Sequence, residues 1–206
     1  MVALPTVLIV DDHATFGESF ATLLTQEGLA SVEAVTSIPA ALAYLAHQKP
    51  DLMVIDITLQ HRYEGLEFLG QVTSKWPTVK PVCLTKHNNE LVCNQAYKAG
   101  AWGYFSKTAP ISETLAGLRQ VLREGTPLPK PSFKGHKHHF TPRECEILAQ
   151  LATGASNKEL AQALDMAEET AKVHMKTLLR KLGVRNRTQV AIFAYENGFW
   201  PSQVKL

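Results

Sequence analysis

The chain has 206 residues, 45% of them hydrophobic and 19% charged, and a formal net charge of +2. These values are ordinary for a globular protein of one or two domains. The chain has no apolar run of about 18 residues or more, so no membrane span is predicted. The start lacks the basic segment of a signal peptide. The three cysteines have neither CxxC nor metal-ligand spacing, which suits a reducing cytoplasm.

Charge is divided unevenly along the chain. Residues 1–124 carry nine Lys and Arg against twelve Asp and Glu, whereas residues 125–206 carry twelve against seven. An acidic front and a basic back indicate two domains with different partners. The basic part is compatible with binding to nucleic acid.

Short apolar runs alternate with helical patterns through the front part. The predicted strands are residues 7–10, 31–35, 51–57, 81–85 and 102–106. The predicted helices are residues 16–24, 39–46, 66–72, 90–99 and 111–122. In the second helix, Leu42 and Leu45 are expected to face inward. Five strand–helix repeats predict an α/β fold with a parallel sheet that is covered by helices on both faces. The strand order 2-1-3-4-5 is one of the two common choices for such a sheet.

The alternation stops at residues 125–139, which contain three prolines and several lysines and histidines. We interpret this stretch as a linker. His136, His138 and His139 could bind a metal, but a solvated linker is the favoured interpretation, because no acidic or cysteine partners lie near them.

The rest of the chain is predicted to be helical. Residues 141–144, with threonine, proline and glutamate in order, are typical of a helix start. Asn157 is predicted to cap a second helix, and further helices are expected at about 168–182 and 187–197. Two short helices joined by a tight turn are the helix-turn-helix pattern.

Four of the predicted strands end on residues that suit phosphoryl transfer. Asp11 and Asp12 follow the first strand, Asp56 lies at the end of the third, Thr85 lies at the end of the fourth, and Lys107 follows the fifth. Parallel strands bring these ends to one crevice. Three carboxylates there repel each other unless a cation sits among them, and oxygen ligands favour Mg²⁺. The lysine and the threonine hydroxyl suit phosphoryl oxygens.

This set resembles the two-component receiver domain over residues 4–124, with Tyr104 at the aromatic position before the lysine. The resemblance implies that a histidine kinase phosphorylates Asp56. It also implies that Thr85 and Tyr104 then turn inward. Lys86 follows the threonine, where the family usually has a small residue.

The same resemblance implies a metal site. Asp12, Asp56 and the backbone carbonyl of Thr58 would hold Mg²⁺, with Asp11 assisting. The loop over residues 57–65 is one residue longer than is usual in the family.

Residues 140–200 resemble the LuxR/NarL-type helix-turn-helix domain. The matching stretches are residues 141–144, 154–161, 170–174 and 181–189. Together the two resemblances identify the chain as a member of the NarL/FixJ class of response regulators.

The third helix of this part is the predicted DNA-recognition helix. One stripe of it should face the core: Ala171, His174, Leu178 and Leu182. The opposite side presents Lys172, Val173, Lys176 and Thr177. Lysine suits guanine or phosphate, and valine suits a thymine methyl group. The residues predicted to contact phosphates are Lys158, Arg185 and Arg187. Ala167 stands where serine or threonine commonly caps this helix.

We predict a receiver domain at residues 1–124, a linker at 125–139 and a DNA-binding domain at 140–206. The expected function is that of a cytoplasmic transcription regulator, not an enzyme, that is switched by phosphorylation of Asp56. It is expected to bind a two-fold operator as a homodimer. The stripe within residues 111–122 is either a dimer face or a core-facing helix. The alternative is a phosphorylation-independent regulator whose receiver is a dimerisation or partner-binding scaffold.

Overall fold

The structure is a computed structural model that describes residues 4–59, 64–86, 90–131 and 140–199. The chain divides into two units, the first made of residues 1–88 and 93–132 and the second mainly of residues 133–206. Within the described ranges, no helix combines the length and the apolar character needed to cross a membrane.

The first unit is built on one parallel sheet with strand order β2-β1-β3-β4-β5. Its strands are β1 (Thr6–Val10), β2 (Ser31–Val35), β3 (Leu52–Ile55), β4 (Lys80–Thr85) and β5 (Gly103–Ser106). Its helices are α1 (Ala14–Gln26), α2 (Ile38–His47), α3 (Glu64–Lys75), α4 (Glu90–Lys98) and α5 (Ile111–Glu124). The predicted fold class and strand order are confirmed.

The sheet is held by short runs of aliphatic residues that are buried on both faces. All four residues of β3 are buried, as the central strand of a parallel sheet requires. In the register of the sheet, Val10 pairs with Ile55, Ile55 with Cys83, and Thr85 with Ser106. The carboxyl ends of β1, β3, β4 and β5 therefore lie side by side at one edge of the sheet.

The prediction for α2 was wrong at one of its two positions. Leu45 is buried, but Leu42 is 37% exposed, and Ala41 lies in the core instead. Ala41 and Leu45 are four residues apart and so share one face of a helix, whereas Leu42 is turned about 100° away from Ala41. Because the side chain of Ala41 is small, the sequence did not indicate that position 41, and not position 42, faces the core.

The second unit consists of helices packed on a separate apolar core. The helices are α6 (Pro142–Ala152), α7 (Asn157–Ala163), α8 (Glu168–Leu182) and α9 (Arg187–Glu196). The predicted start of α6 is confirmed, because Thr141 and Glu144 form a reciprocal capping box. The cap predicted for α7 was wrong by one residue.

Ser156, not Asn157, caps α7. Its side chain accepts a hydrogen bond from the Glu159 backbone N–H, and the Glu159 carboxylate accepts one from the Ser156 backbone N–H. A serine followed three residues later by glutamate satisfies two otherwise unpaired helix donors. This reciprocal pair fixes the boundary and leaves Asn157 as the first helical residue.

Helix α8 begins without such a cap. Ala167 occupies the N-cap position with φ −70° and ψ 146°, and it makes no side-chain capping bond. The helix ends at Gly183, whose φ of 68° is a left-handed conformation that glycine adopts without strain.

We predict that Ala167→Ser stabilises the second unit by about 0.5–1 kcal/mol, because the extended backbone at Ala167 already suits a capping serine. The reverse change, Ser156→Ala, should destabilise it by about 1 kcal/mol. Calorimetric unfolding of the full-length variants measures both effects. An unchanged transition in Ala167→Ser, alongside a lowered one in Ser156→Ala, would contradict the prediction.

Candidate phosphoacceptor site and nucleic-acid interface

The sheet carries the candidate acceptor residues to one place through backbone hydrogen bonds. The N–H of Asp56 donates to the Val10 carbonyl at 2.9 Å, which continues the pairing of β3 with β1. The N–H of Lys107 donates to the Thr85 carbonyl at 2.7 Å, which continues the pairing of β5 with β4. Each residue is thus fixed one step beyond the end of its strand.

At the centre of the site, one ammonium group lies between two carboxylates. Lys107 Nζ is 2.5 Å from Asp56 Oδ2 and 2.5 Å from Asp11 Oδ2. The side chains are only 5%, 4% and 3% exposed for Lys107, Asp56 and Asp11. The three buried groups together carry one net negative charge, which favours the approach of a further cation.

Backbone donors and an aromatic ring complete the surroundings of these charges. The N–H of Thr58 donates to Asp56 Oδ1 at 3.1 Å, and the N–H of His13 donates to Asp11 Oδ1 at 3.0 Å. Lys107 Nζ also lies 4.6 Å from the centroid of the Phe16 ring, within the range of a cation–π contact.

Burial raises the pKa of Asp56 above its ordinary value of 3.8, and this effect outweighs the opposing influence of Lys107. The ammonium group and the Thr58 N–H both favour the ionised carboxylate, while the Asp11 charge disfavours it. Keeping Asp56 ionised in the folded state therefore lowers the free energy of unfolding of the first unit.

Two residues beside the acidic cluster, His13 and Lys86, were not predicted as site residues from the sequence. His13 Nδ1 lies 2.9 Å from Asp12 Oδ1, and its Nε2 lies 3.4 Å from Lys86 Nζ. The position of His13 directly after the acidic pair was the available signal. Lys86 was noted only as an unusual neighbour of Thr85, since nothing in its spacing relates it to a residue 73 positions away.

The donor set fits a divalent cation. Ligand atoms of Asp11, Asp12, His13 and Asp56 all lie within 4.8 Å of one another. Within the described residues, Thr58 Oγ1 is a buried oxygen with no hydrogen-bond partner. Oxygen-rich clusters with net negative charge suit hard cations such as Mg²⁺.

Gly65, at the start of α3, lies directly against the acceptor segment. A Cβ atom there would stand 1.9 Å from the Asp56 carbonyl oxygen, so only glycine fits. Its N–H donates to the Ile57 carbonyl at 3.1 Å. The predicted longer loop falls mainly on residues 60–63, which lie outside the described residues.

The two residues predicted to change position on phosphorylation are both internal. Thr85 is fully buried, and Tyr104 is 6% exposed.

In the second unit, α7 and α8 form the expected helix-turn-helix. The face of α8 predicted to meet DNA is open: Val173 is 65% exposed, and Lys172 and Lys176 are exposed. Lys172 Nζ lies 2.6 Å from Glu169 Oε1 on the preceding turn. The hydroxyl of Thr177 donates to the Val173 carbonyl at 3.1 Å, so this side chain is turned toward its own helix.

The three residues predicted to contact phosphates have different surroundings. Lys158 and Arg185 are exposed. The guanidinium of Arg187 instead donates to Asn157 Oδ1 at 3.1 Å and to the Ala155 carbonyl. Arg187 thus ties the start of α9 to the turn before α7.

The chain is similar to known proteins over both units. Residues 7–119 match the response regulator receiver domain, and residues 138–194 match the bacterial regulatory proteins of the luxR family.

Individual relatives span nearly the whole chain. The response regulator VraR of Staphylococcus aureus is 31% identical, covering 93% of this chain and 96% of its own. The regulatory protein ComA of Bacillus subtilis is 26% identical, covering 93% and 98%. Among solved structures, RcsB of Salmonella enterica serovar Typhimurium, bound to a promoter in the presence of the phosphomimetic BeF3−, matches with a TM-score of 0.55. It is 19% identical, covers 91% of this chain and 98% of its own, and shows the shared fold.

We predict that Lys107→Met destabilises the first unit by about 3–5 kcal/mol, because it leaves two buried carboxylates without their shared cation. Lys75→Met, at an exposed lysine of α3, should change stability by no more than about 0.5 kcal/mol. Denaturant unfolding of the full chain measures both. Equal stability of the two variants would contradict the assigned role of the lysine.

The companion change, Asp56→Asn, should stabilise the first unit at neutral pH, because it removes the carboxylate whose ionised form burial disfavours. The raised pKa sets the sign of the pH dependence. The gain is present above the folded-state pKa of Asp56 and disappears as the pH falls toward the ordinary value, where the wild-type carboxylate is itself protonated. Unfolding measured across this range checks the sign, and a gain that grows in acid would contradict it.

Proposed function

Because the chain belongs to the response regulators, with a receiver domain joined to a luxR-family regulatory domain, we propose that it is a transcription regulator switched by phosphorylation of Asp56. These relatives are transcriptional regulators rather than enzymes. The observation that carries the proposal is the buried pairing of Lys107 with both Asp11 and Asp56 at the carboxyl edge of the sheet.

The acceptor chemistry follows from this arrangement. A carboxylate oxygen of Asp56 attacks the phosphorus of a phosphohistidine on the sensor kinase. The new P–O bond forms as the P–N bond breaks, and the histidine nitrogen keeps the electron pair. Lys107 neutralises charge on the phosphoryl oxygens, and the hydroxyl of Thr85, at the end of the neighbouring strand β4, is the proposed donor to one of them.

We further propose that Asp12, Asp56 and the Thr58 carbonyl hold Mg²⁺, with Asp11 assisting. When bound, the ion neutralises negative charge on the transferred group. The clustered ligand atoms and the buried Thr58 hydroxyl support this assignment. The Lys107 ammonium bonds one oxygen of Asp11 and one of Asp56. Their other oxygens each accept one backbone N–H, and a carboxylate oxygen can accept such a bond and bind a cation as well.

The readout is DNA binding by α8. The exposed Lys172, Val173 and Lys176 suit the major groove, while Lys158 and Arg185 suit the flanking phosphates. The guanidinium of Arg187 is hydrogen-bonded to Asn157 within the unit. We therefore propose that Arg187 holds this region in place next to the residues that contact phosphates. Because its proposed target is chromosomal DNA, we propose that the protein acts in the cytoplasm.

A homodimer on a two-fold operator completes the proposal. Ile192 and Tyr195 on α9 are 51% and 41% exposed, more apolar surface than a solvent-facing helix needs. Ile111, in the first turn of α5, is 48% exposed, while Leu115 and Leu118 are buried. Most of the α5 stripe therefore belongs to the core, and only its N-terminal end is open to a partner.

We predict that the wild-type chain gains one phosphoryl group from a small phosphodonor with Mg²⁺, and that Asp56→Asn gains none. Asp51→Asn, at the start of the same strand, should be phosphorylated like the wild type. Intact mass spectrometry measures the gain, and sizing follows the oligomeric state. A wild-type chain that takes no phosphoryl group from small donors or kinases, yet still binds DNA, would favour the receiver as a fixed scaffold.

We predict that the double change Lys172→Ala and Lys176→Ala weakens binding to genomic fragments selected by the wild type. The slope of log affinity against log salt should fall by roughly 1 for each lost phosphate contact. Lys75→Ala serves as the matched control and should leave both affinity and slope unchanged. Wild-type affinity in the double variant would exclude α8 as the DNA-contacting helix.

A further inference from the structure

A proline-rich segment that follows α5 lies across one edge of the first unit. Residues 126–130, which we call the strap, have proline at every second position, and Pro131 continues the pattern. The backbone N–H of Leu128 donates to the Trp102 carbonyl at 2.7 Å, immediately before β5. Because β5 is an edge strand of the sheet, the strap covers part of an edge that would otherwise be open.

Two glycines make room for the strap. A Cβ atom on Gly103 of β5 would lie 3.1 Å from the Phe105 ring and 3.2 Å from Leu128 Cδ1. A Cβ atom on Gly117 of α5 would lie 2.5 Å from the same ring and 3.1 Å from the same Leu128 atom. The missing side chains thus form a groove that Phe105 and Leu128 fill together.

Helix α4 supplies the polar contacts of the strap. The Tyr97 hydroxyl lies within hydrogen-bond distance of two strap carbonyls, at 3.1 Å from Leu128 O and 3.2 Å from Pro129 O. Lys130 Nζ donates to Asn94 Oδ1 at 3.0 Å and lies 5.6 Å from the centroid of the Tyr97 ring. Burial raises the pKa of Tyr97 to about 12, so the phenol stays protonated and remains a donor.

These contacts have the chemistry of proline-rich peptide recognition. Such peptides are partly ordered before binding and dock on grooves lined by aromatic side chains, with donors that meet their carbonyl groups. Here Tyr97 and Phe105 provide the aromatic side chains, and Leu128 and the Phe105 ring lie together over the two glycines. The prolines lower the entropy lost when the segment docks.

We propose that α4 and β5 form a groove for proline-rich peptide, that its occupant in the unmodified protein is the strap, and that phosphorylation of Asp56 releases the strap. The release rests on the proposed function, whereas the docking does not. Strand β5 joins the two sites: its last residue, Ser106, precedes Lys107, and its body carries Gly103 and Phe105.

The proposed release starts from the unmodified geometry of the site. The observed strap contacts are made to β5 as it lies when Lys107 is bonded to Asp56 and Asp11. A phosphoryl group on Asp56 would give Lys107 new oxygen partners, and we propose that the resulting shift of β5 weakens the strap contacts. By reciprocity, the factor by which phosphorylation weakens docking is the factor by which docking disfavours phosphorylation.

The test is amide hydrogen exchange of the full-length chain, resolved by NMR, with and without beryllofluoride and Mg²⁺. In the unmodified wild type, the Leu128 amide should exchange at least about tenfold more slowly than in an unstructured peptide. Tyr97→Phe removes one hydroxyl and should speed that exchange about fivefold. Tyr44→Phe, at a tyrosine of α2, is the matched control and should leave it unchanged. Beryllofluoride should speed it in the wild type.

Each result decides one part of the proposal. Exchange of the Leu128 amide at the unstructured rate in the unmodified chain would overturn docking. Loading of beryllofluoride, seen as shifted Lys107 and Thr58 resonances, with unchanged Leu128 exchange would overturn the coupling alone. If the site does not load at all, the proposed function and the coupling fail together, and the docking result still stands or falls on the Leu128 amide and the Tyr97→Phe variant.

Discussion

The structure of the first unit depends on one buried ammonium group held between two buried carboxylates. Lys107 can reach Asp11 and Asp56 only because parallel strands end at the same edge of the sheet, in an order that places β3 between β1 and β4. Removing the lysine leaves two buried carboxylates without compensation in a region of low polarity, whereas removing one carboxylate leaves a neutral pair. The strand order, the backbone bonds beyond each strand end and the glycine at position 65 all serve this arrangement.

The charge of this group also explains its chemistry. Asp11, Asp56 and Lys107 together carry one negative charge, and Asp12, the other proposed carboxylate ligand, brings the sum to two negative charges. A divalent cation would make this set neutral. Phosphorylation of Asp56 replaces one negative charge by about two, so the sum would be about three negative charges without the cation and about one with it. The cation would thus lower the electrostatic cost of the phosphoryl group, which links the proposed metal site to the proposed phosphorylation.

Sequence patterns predicted the elements with regular periods and the residues at strand ends. Alternation of apolar runs predicted the parallel sheet, whose observed strand order is one of the two common choices that it left open, and the strand-end carboxylates and lysine were brought together as expected. The two wrong predictions, for the buried face of α2 and for the cap of α7, have local causes. A small alanine hid the buried face of α2, and a serine cap preceded the asparagine chosen for α7. The contact between His13 and Lys86, and the docking of residues 126–130, depend on tertiary geometry that no local pattern encodes.

The strap has the stability that a switch element needs. Its few hydrogen bonds are worth about 1 kcal/mol each, and the buried part of Leu128 adds about 1–2 kcal/mol. Ordering five residues costs several kcal/mol, although the prolines reduce that cost. The balance is small, of the size of typical coupling energies between two sites, about 1–3 kcal/mol. A strap bound much more tightly would not respond to one phosphoryl group, and one bound much more weakly would have nothing to release. Lys107 directly follows β5, and the groove lies on β5, so the proposed coupling between the acceptor site and the strap requires only this one strand.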